Sequence, residues 1–113
     1  MSKRTESLYL RDMKEAAEAI LSYTQGITYD AFKNDRMRHS AVIREFQIIG
    51  EAVGKLGDSI KKAYPHIAWQ DIKDFRNLLT HEYFGVDLEI VWNVVQEDLP
   101  TLYEAIQAIE KKL

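Results

Sequence analysis

Residues 42–60, Val-Ile-Arg-Glu-Phe-Gln-Ile-Ile-Gly-Glu-Ala-Val-Gly-Lys-Leu-Gly-Asp-Ser-Ile, decide how this chain folds. Val42, Phe46, Ile49, Val53, Leu56 and Ile60 step by four, three, four, three and four, the spacing of a seam between packed helices. Gly50, Gly54 and Gly57 interrupt the seam, and each weakens a helix by about 1 kcal/mol relative to alanine. Glycines so placed let a second backbone come close. Gly57 alone also reads as a break, after which Asp58-Ser59 start a further turn. Asp35 suits the opening of this helix, as a cap and as a carboxylate at the positive end of the dipole.

The flanking segments repeat the pattern. Leu10, Met13, Ala17, Ile20 and Thr24 predict a first helix from near Ser7 to Thr24 or Gln25, closed by Gly26 as a left-handed cap. Thr28 caps a short helical segment through Phe32. Tyr64-Pro65-His66 makes a corner, and a third long helix is expected over residues 68–82, with Ala68, Ile72, Phe75 and Leu79 as its seam and Gly85 ending it. Asp87 caps a last helix, with Val86 and Val91 at staple spacing. Leu88, Trp92, Val95, Leu99, Leu102, Ile106, Ile109 and Leu113 carry its seam, kinked at Pro100. No segment alternates as a strand and no Asn-Gly or Asp-Gly hairpin occurs. The expected fold is all-α: an antiparallel four-helix bundle with a short extra helix and a Pro-kinked C-terminal helix, one domain over residues 1–113.

The composition narrows the function classes. With no cysteine, neither a disulfide framework nor a thiolate metal site is open, which fits a reducing cytoplasm. No apolar run approaches the ~20 residues of a membrane span, and the polar start Met1–Glu6 has no signal-peptide core behind it. A soluble, cytoplasmic protein is expected. The net charge of −3 argues against a surface that coats nucleic acid non-specifically. Lys33, Arg36, Arg38, His39 and Arg44 form a local basic cluster that reads first as a solvated helix start, with a nucleic-acid face as the alternative.

One stretch is not explained by packing: Arg76-Asn77-Leu78-Leu79-Thr80-His81-Glu82-Tyr83. On a wheel of about 100° per residue, Thr80 lies roughly 40° from Arg76, Asn77 about 100° and His81 about 140°. Ile72, Phe75, Leu78 and Leu79 occupy the opposite arc as a core face, and Tyr83 returns to the line of Arg76 if the helix lasts that far. An imidazole can take a proton from a hydroxyl and return it to a leaving group. A guanidinium matches phosphate oxygens and stabilises charge building on a phosphorane. Together they suit metal-independent RNA cleavage by the 2′-hydroxyl, with Asn77 holding the imidazole or the phosphate. One protomer supplies a single histidine to the cluster, so a symmetric dimer cleft is expected to supply the second proton-transfer group.

The competing readings are weaker or blander. His39, His66 and His81 lie far apart with no His-x-x-x-His pair, and Glu82 falls on the core side, so no metal site is expected. No phosphate-binding glycine loop and no nucleophile triad occurs. An Arg and a His five apart on an amphipathic helix also arise by chance. His66 reads as a loop residue, His39 as a surface one, and Trp69 and Trp92 as core or interface anchors.

Arg76-Asn77-x-x-x-His81-x-Tyr83 matches the Arg-x-x-x-x-His-x-Tyr motif of HEPN domains, with Asn77 as the polar residue that commonly follows the arginine. Ala41–Arg44, Ile48–Ala52, Tyr64-Pro65-x-Ile67-x-Trp69 and Tyr83–Asp87 through Val91-Trp92 extend the match, and the chain resembles the HepT-like toxins over nearly its whole length. The resemblance implies a HEPN bundle that forms a homodimer, or a higher even-numbered assembly, with Arg76 and His81 catalytic at the cleft and Asn77 and Thr80 positioning substrate. It implies a ribonuclease toxin of a type VII-like toxin–antitoxin pair, without cofactor or metal. Its partner would be a minimal nucleotidyltransferase antitoxin that neutralises it by AMPylation of Tyr83. The alternative from another class is a non-catalytic helical subunit that docks such a nucleotidyltransferase.

Overall fold

The computed structural model describes residues 2–113, Tyr83 by its backbone alone. Four long helical elements carry the seams. They are α1 (Lys3–Thr24), α3 (Arg36–Lys55), α5 (Trp69–His81) and a C-terminal helix. The last is built of α6 (Leu88–Asn93), a π-helical stretch (Val94–Asp98) and α7 (Leu99–Lys112). Two short helices, α2 (Tyr29–Asn34) and α4 (Asp58–Ala63), and a 3-10 turn (Tyr83–Gly85) complete the path. Among the described residues there is no strand.

Side-chain pairs fix the topology. Tyr23 near the end of α1 bonds Glu45 in the first half of α3, while Lys55 at the end of α3 lies over the Tyr9 ring, so α1 and α3 are antiparallel. Lys14 pairs with Glu110 at 3.7 Å and Tyr103 bonds Glu18, so α7 runs antiparallel to α1 on its other side. α5 packs chiefly on α3, Gln47 meeting Leu79 and Gly50 meeting Arg76. Every residue of the seams Leu10–Thr24 and Val42–Ile60 is buried. Between α5 and the C-terminal helix an apolar cleft of about 310 Å³ stays open over Phe46, Ile49, Phe75 and Leu102.

Caps and breaks follow local chemistry, with corrections. α1 starts four residues before the expected Ser7, because Ser2 Oγ accepts from the Thr5 N–H at 3.2 Å. Gly26 has φ 73°, but as the third residue of a type II turn: Gln25 sits at φ −61°, ψ 126° and the Ile27 N–H reaches the Thr24 carbonyl at 3.4 Å. Thr28, Asp35 and Asp87 cap as expected, accepting from Ala31, Arg38 and Glu89 N–H groups. The Arg38 backbone N–H, and after it the Arg38 guanidinium, hold the Asp35 carboxyl below its ordinary range. α3 ends at Lys55, and Gly57 opens α4. The expected kink at Pro100 takes the form of the π-helical stretch just before it: the ring has no N–H to donate and crowds the preceding turn, and the helix widens there without breaking.

α5 departs most from expectation. It stops at His81, before Glu82 and well before Gly85, whose φ is not positive. Tyr83 therefore does not return to the line of Arg76 on the helix. Leu78, assigned to the core arc, is 39% exposed, and Glu82 is exposed rather than core-facing. His39 is not a plain surface residue either: its Nδ1 lies 3.2 Å from the Phe32 carbonyl and its ring sits edge-on to Phe32 at 6.1 Å.

The glycines of α3 separate sharply. A Cβ on Gly50 would fall 2.2 Å from Arg76 Cβ and 2.5 Å from Cγ, atoms fixed to the backbone of α5. One on Gly54 would reach only Lys73 Cε, at 3.9 Å. We expect Gly50→Ala to lower unfolding free energy by about 1–3 kcal/mol, overpacking outweighing the propensity gain. Gly54→Ala should leave it unchanged or raise it by up to about 1 kcal/mol. Urea titration of both variants checks the contrast.

The tyrosine ties have a pH signature. The negative charge of Glu45, then the hydrogen bond to it, raises the Tyr23 phenol above its ordinary 10.0, and the bond to Glu18 raises Tyr103 likewise. Both groups keep their proton longer folded than unfolded. Their contribution to stability is thus present below about pH 10 and lost as pH rises through the folded values. The double variant Tyr23→Phe/Tyr103→Phe should show a flatter loss of stability between about pH 9 and 11 than the parent, measured by denaturation at each pH.

Candidate active site

α5 is held at both ends by groups outside it. At its start the Trp69 indole N–H is shared between the carbonyls of Lys61 (3.2 Å) and Tyr64 (3.0 Å), which pins the corner at Pro65. Midway, Phe75 meets Phe46 edge-on at 5.3 Å. In the last turn, where helix carbonyls lose their internal partners, Gln47 Nε2 donates to the Leu79 carbonyl at 3.4 Å and the Glu82 N–H to Leu78 at 2.9 Å. The Gly85 N–H then bonds the Glu82 carbonyl at 2.9 Å, closing the 3-10 turn. After the last i→i−4 bond, from Glu82 to Leu78, Gln47 takes the Leu79 carbonyl and the chain tightens into the 3-10 turn.

Arg76 sits where α5 comes nearest to α3. Its Cβ and Cγ occupy the space that a side chain at position 50 would take, and its Nε is shut in without a hydrogen-bond partner. The terminal nitrogens reach the surface. Nη1 donates to Asn77 Oδ1 at 3.1 Å and Nη2 to Glu51 Oε1 at 3.4 Å, leaving the side chain 32% exposed. The buried stem fixes where the guanidinium emerges, while its charge stays open to a ligand.

The other expected residues are arranged around it unequally. Asn77 is exposed and turned to Arg76, so its amide oxygen orients the guanidinium and not the imidazole. The Thr80 hydroxyl donates to the Arg76 carbonyl at 2.9 Å, which leaves only its oxygen lone pairs free to accept. His81 is exposed at the end of α5, and among the described residues no hydrogen bond joins it to Arg76, Asn77 or Thr80. Five residues separate the pair, about 7.5 Å along the axis and 140° around it. The expected role of Tyr83 concerns a side chain outside the described residues; its backbone lies in the 3-10 turn.

The sequence reading missed part of the site. Beside Arg76 a trough of about 420 Å³ runs between α3 and α5, lined by Gly50, Glu51, Gly54, Lys55, Lys73, Arg76 and Asn77. Lys55 and Lys73 were not singled out, although Lys73 stands three residues before Arg76, and Gly50 and Gly54 stand four apart. Two glycines on one helix line facing two cations on another was the available signal. The basic cluster at the start of α3 is partly structural. Arg38 bonds Asp35 and the Tyr23 carbonyl, and His39 meets Phe32, while Lys33, Arg36 and Arg44 are exposed. Among the described residues no three His, Asp or Glu side chains group to hold a metal ion, and no helix is long and apolar enough to cross a membrane.

The profile of the HepT-like ribonucleases matches residues 13–109, which take in α3, α5 and the whole motif from Arg76 to Tyr83. The chain belongs to the HepT-like ribonuclease family. It is 35% identical over 109 residues to a Methanocaldococcus jannaschii protein provisionally named an RNase, covering 96% of this chain and 100% of the relative. It is 38% identical over 109 residues to a protein of Thermococcus cleftensis provisionally named ribonuclease HepT, covering 96% of this chain and 99% of that one. No solved structure matches the chain significantly. The seams and the structure give an all-α bundle, and the family makes it a HEPN-like one.

In this HepT-like chain the pair Arg76–Glu51 is solvent-accessible on both sides, Glu51 being 45% exposed, and exposed pairs contribute at most about 1 kcal/mol. We expect Glu51→Ala to change unfolding free energy by less than about 1 kcal/mol. Calorimetry or urea titration checks this; a larger loss would make the pair a structural clasp.

Proposed function

We propose that this chain is a metal-independent endoribonuclease, the toxin of a type VII-like toxin–antitoxin pair, acting as a homodimer or a higher even-numbered assembly. Membership of the HepT-like family supports RNA as the substrate. The single observation that carries the chemistry is the setting of Arg76: a stem locked against Gly50, with its charge at the lip of a cationic trough.

In the proposed reaction His81 of one copy takes the proton of a ribose 2′-hydroxyl. The 2′-oxygen bonds to the adjacent phosphorus, and the bond from phosphorus to the 5′-oxygen breaks. His81 of the second copy protonates that leaving oxygen, giving a 2′,3′-cyclic phosphate and a 5′-hydroxyl. Arg76 neutralises the charge that builds on the phosphorane, and Asn77 keeps the guanidinium aimed. Thr80 accepts from a ribose hydroxyl. With one motif histidine per copy, the second proton-transfer group comes from a second copy.

A minimal nucleotidyltransferase antitoxin would switch the enzyme off by transferring AMP to Tyr83. A phosphodiester there adds negative charge to the motif segment proposed to receive RNA and opposes the approach of a polyanion. Mass spectrometry of the chain co-expressed with such a partner should find AMP on Tyr83, and a bare tyrosine in every preparation would remove this part of the reading.

One observation favours a second reading. Arg76 already has two protein partners, as expected if the bundle only docks a nucleotidyltransferase and its motif residues are structural. Growth assays separate the two. Expression of the wild type without a partner should arrest growth, and Arg76→Ala or His81→Ala should restore it, with a loss of RNA cleavage of at least about 10²-fold. Variants as toxic as the wild type would overturn the nuclease reading, and a wild type harmless without a partner would favour the docking subunit.

A further inference from the structure

The trough extends past Arg76 along the same stripe of α5. Lys73 precedes Arg76 by three residues, so it lies about 4.5 Å back along the axis on the same face. Lys55 comes from α3, steadied by the Tyr9 ring 5.7 Å from its ammonium. Gly50 and Gly54 leave the α3 side of the trough as bare backbone. The lining holds three cations, Lys55, Lys73 and Arg76, against one carboxylate, Glu51, which is engaged with Arg76. Among the described residues Lys73 forms no ion pair. A chain with net charge −3 thus concentrates uncompensated positive charge in one channel that begins at the motif arginine.

We propose that this channel is a second phosphate subsite: Lys73 and Lys55 hold the phosphodiester next to the one gripped by Arg76, so that the enzyme engages two consecutive phosphates of an RNA strand. The inference rests on the ribonuclease reading above. It makes the lysines substrate-positioning residues that touch a non-reacting phosphate. Their binding energy holds the strand while Arg76 and His81 act on the neighbouring bond. It also explains how an acidic protein attracts RNA, since association is steered by the local field and not by net charge.

The test uses DNA oligonucleotides carrying a single ribonucleotide, so that only one bond can be cleaved. One substrate is a dinucleotide with one phosphodiester; the other is a tetranucleotide with a phosphate on either side of that bond. Wild type should show a kcat/KM about tenfold higher on the tetranucleotide, the size of one charge-assisted contact. In Lys55→Gln/Lys73→Gln that preference should collapse, through KM more than kcat. The slope of log KM against log salt should fall by roughly 0.7 in that double variant, the share of one phosphate on a single strand. Lys55→Arg/Lys73→Arg should restore both, and circular dichroism of all variants excludes misfolding as the cause. If wild type cleaves both substrates while the glutamine variant keeps the same preference and salt slope, the subsite is overturned and the ribonuclease reading stands. If wild type cleaves neither, the ribonuclease reading falls and the subsite with it.

Discussion

The site depends on one close approach, the contact between the bare α-carbon of Gly50 and the root of Arg76. Arginine is long and flexible, and on an open helix its charge would sweep a wide volume. Here the first carbons of the side chain are wedged between two backbones, so the guanidinium leaves the helix pair in one direction. The same contact draws α5 onto α3 and leaves the channel beside it. Packing and charge placement are therefore one event in this bundle.

The helices were legible because their signal is periodic and local. The seam of α3, the caps at Thr28, Asp35 and Asp87, and the close approach at Gly50 all follow from spacing and side-chain type. What was not legible depends on partners distant in sequence. α5 ends at His81 partly because Gln47 of another helix takes a terminal carbonyl, which no pattern within 69–85 announces. The turn of His39 towards Phe32 and the placing of Lys55 and Lys73 along one trough are likewise products of packing. The early start of α1 was missed for a different reason. Its first turn is polar, so the apolar period began late while the cap at Ser2 was already in place.

The candidate site shows the same division. Arg76, Asn77, Thr80 and His81 were found by their residue types on one arc, but their roles are sorted by geometry. Asn77 serves the guanidinium, Thr80 has committed its proton to the backbone, and His81, exposed at the helix end, is bonded to none of the three among the described residues. Negative charge dominates the chain as a whole, yet it is thin in the channel, where Glu51 is offset by its own arginine. Electrostatic attraction of a polyanion depends on such local arrangement more than on the sum.

Gly50 and His81 are independent in a way that matters for reading related chains. The glycine is demanded by the bundle whether or not anything is cleaved, because a larger residue would push two helices apart. The histidine, exposed at the tip of its helix, is demanded by nothing in the fold. A lineage that abandoned cleavage and kept only its partner would thus be free to lose the imidazole while still carrying the glycine and the arginine stem. The packed half of the motif is a record of ancestry, and the solvent-facing half is a record of use.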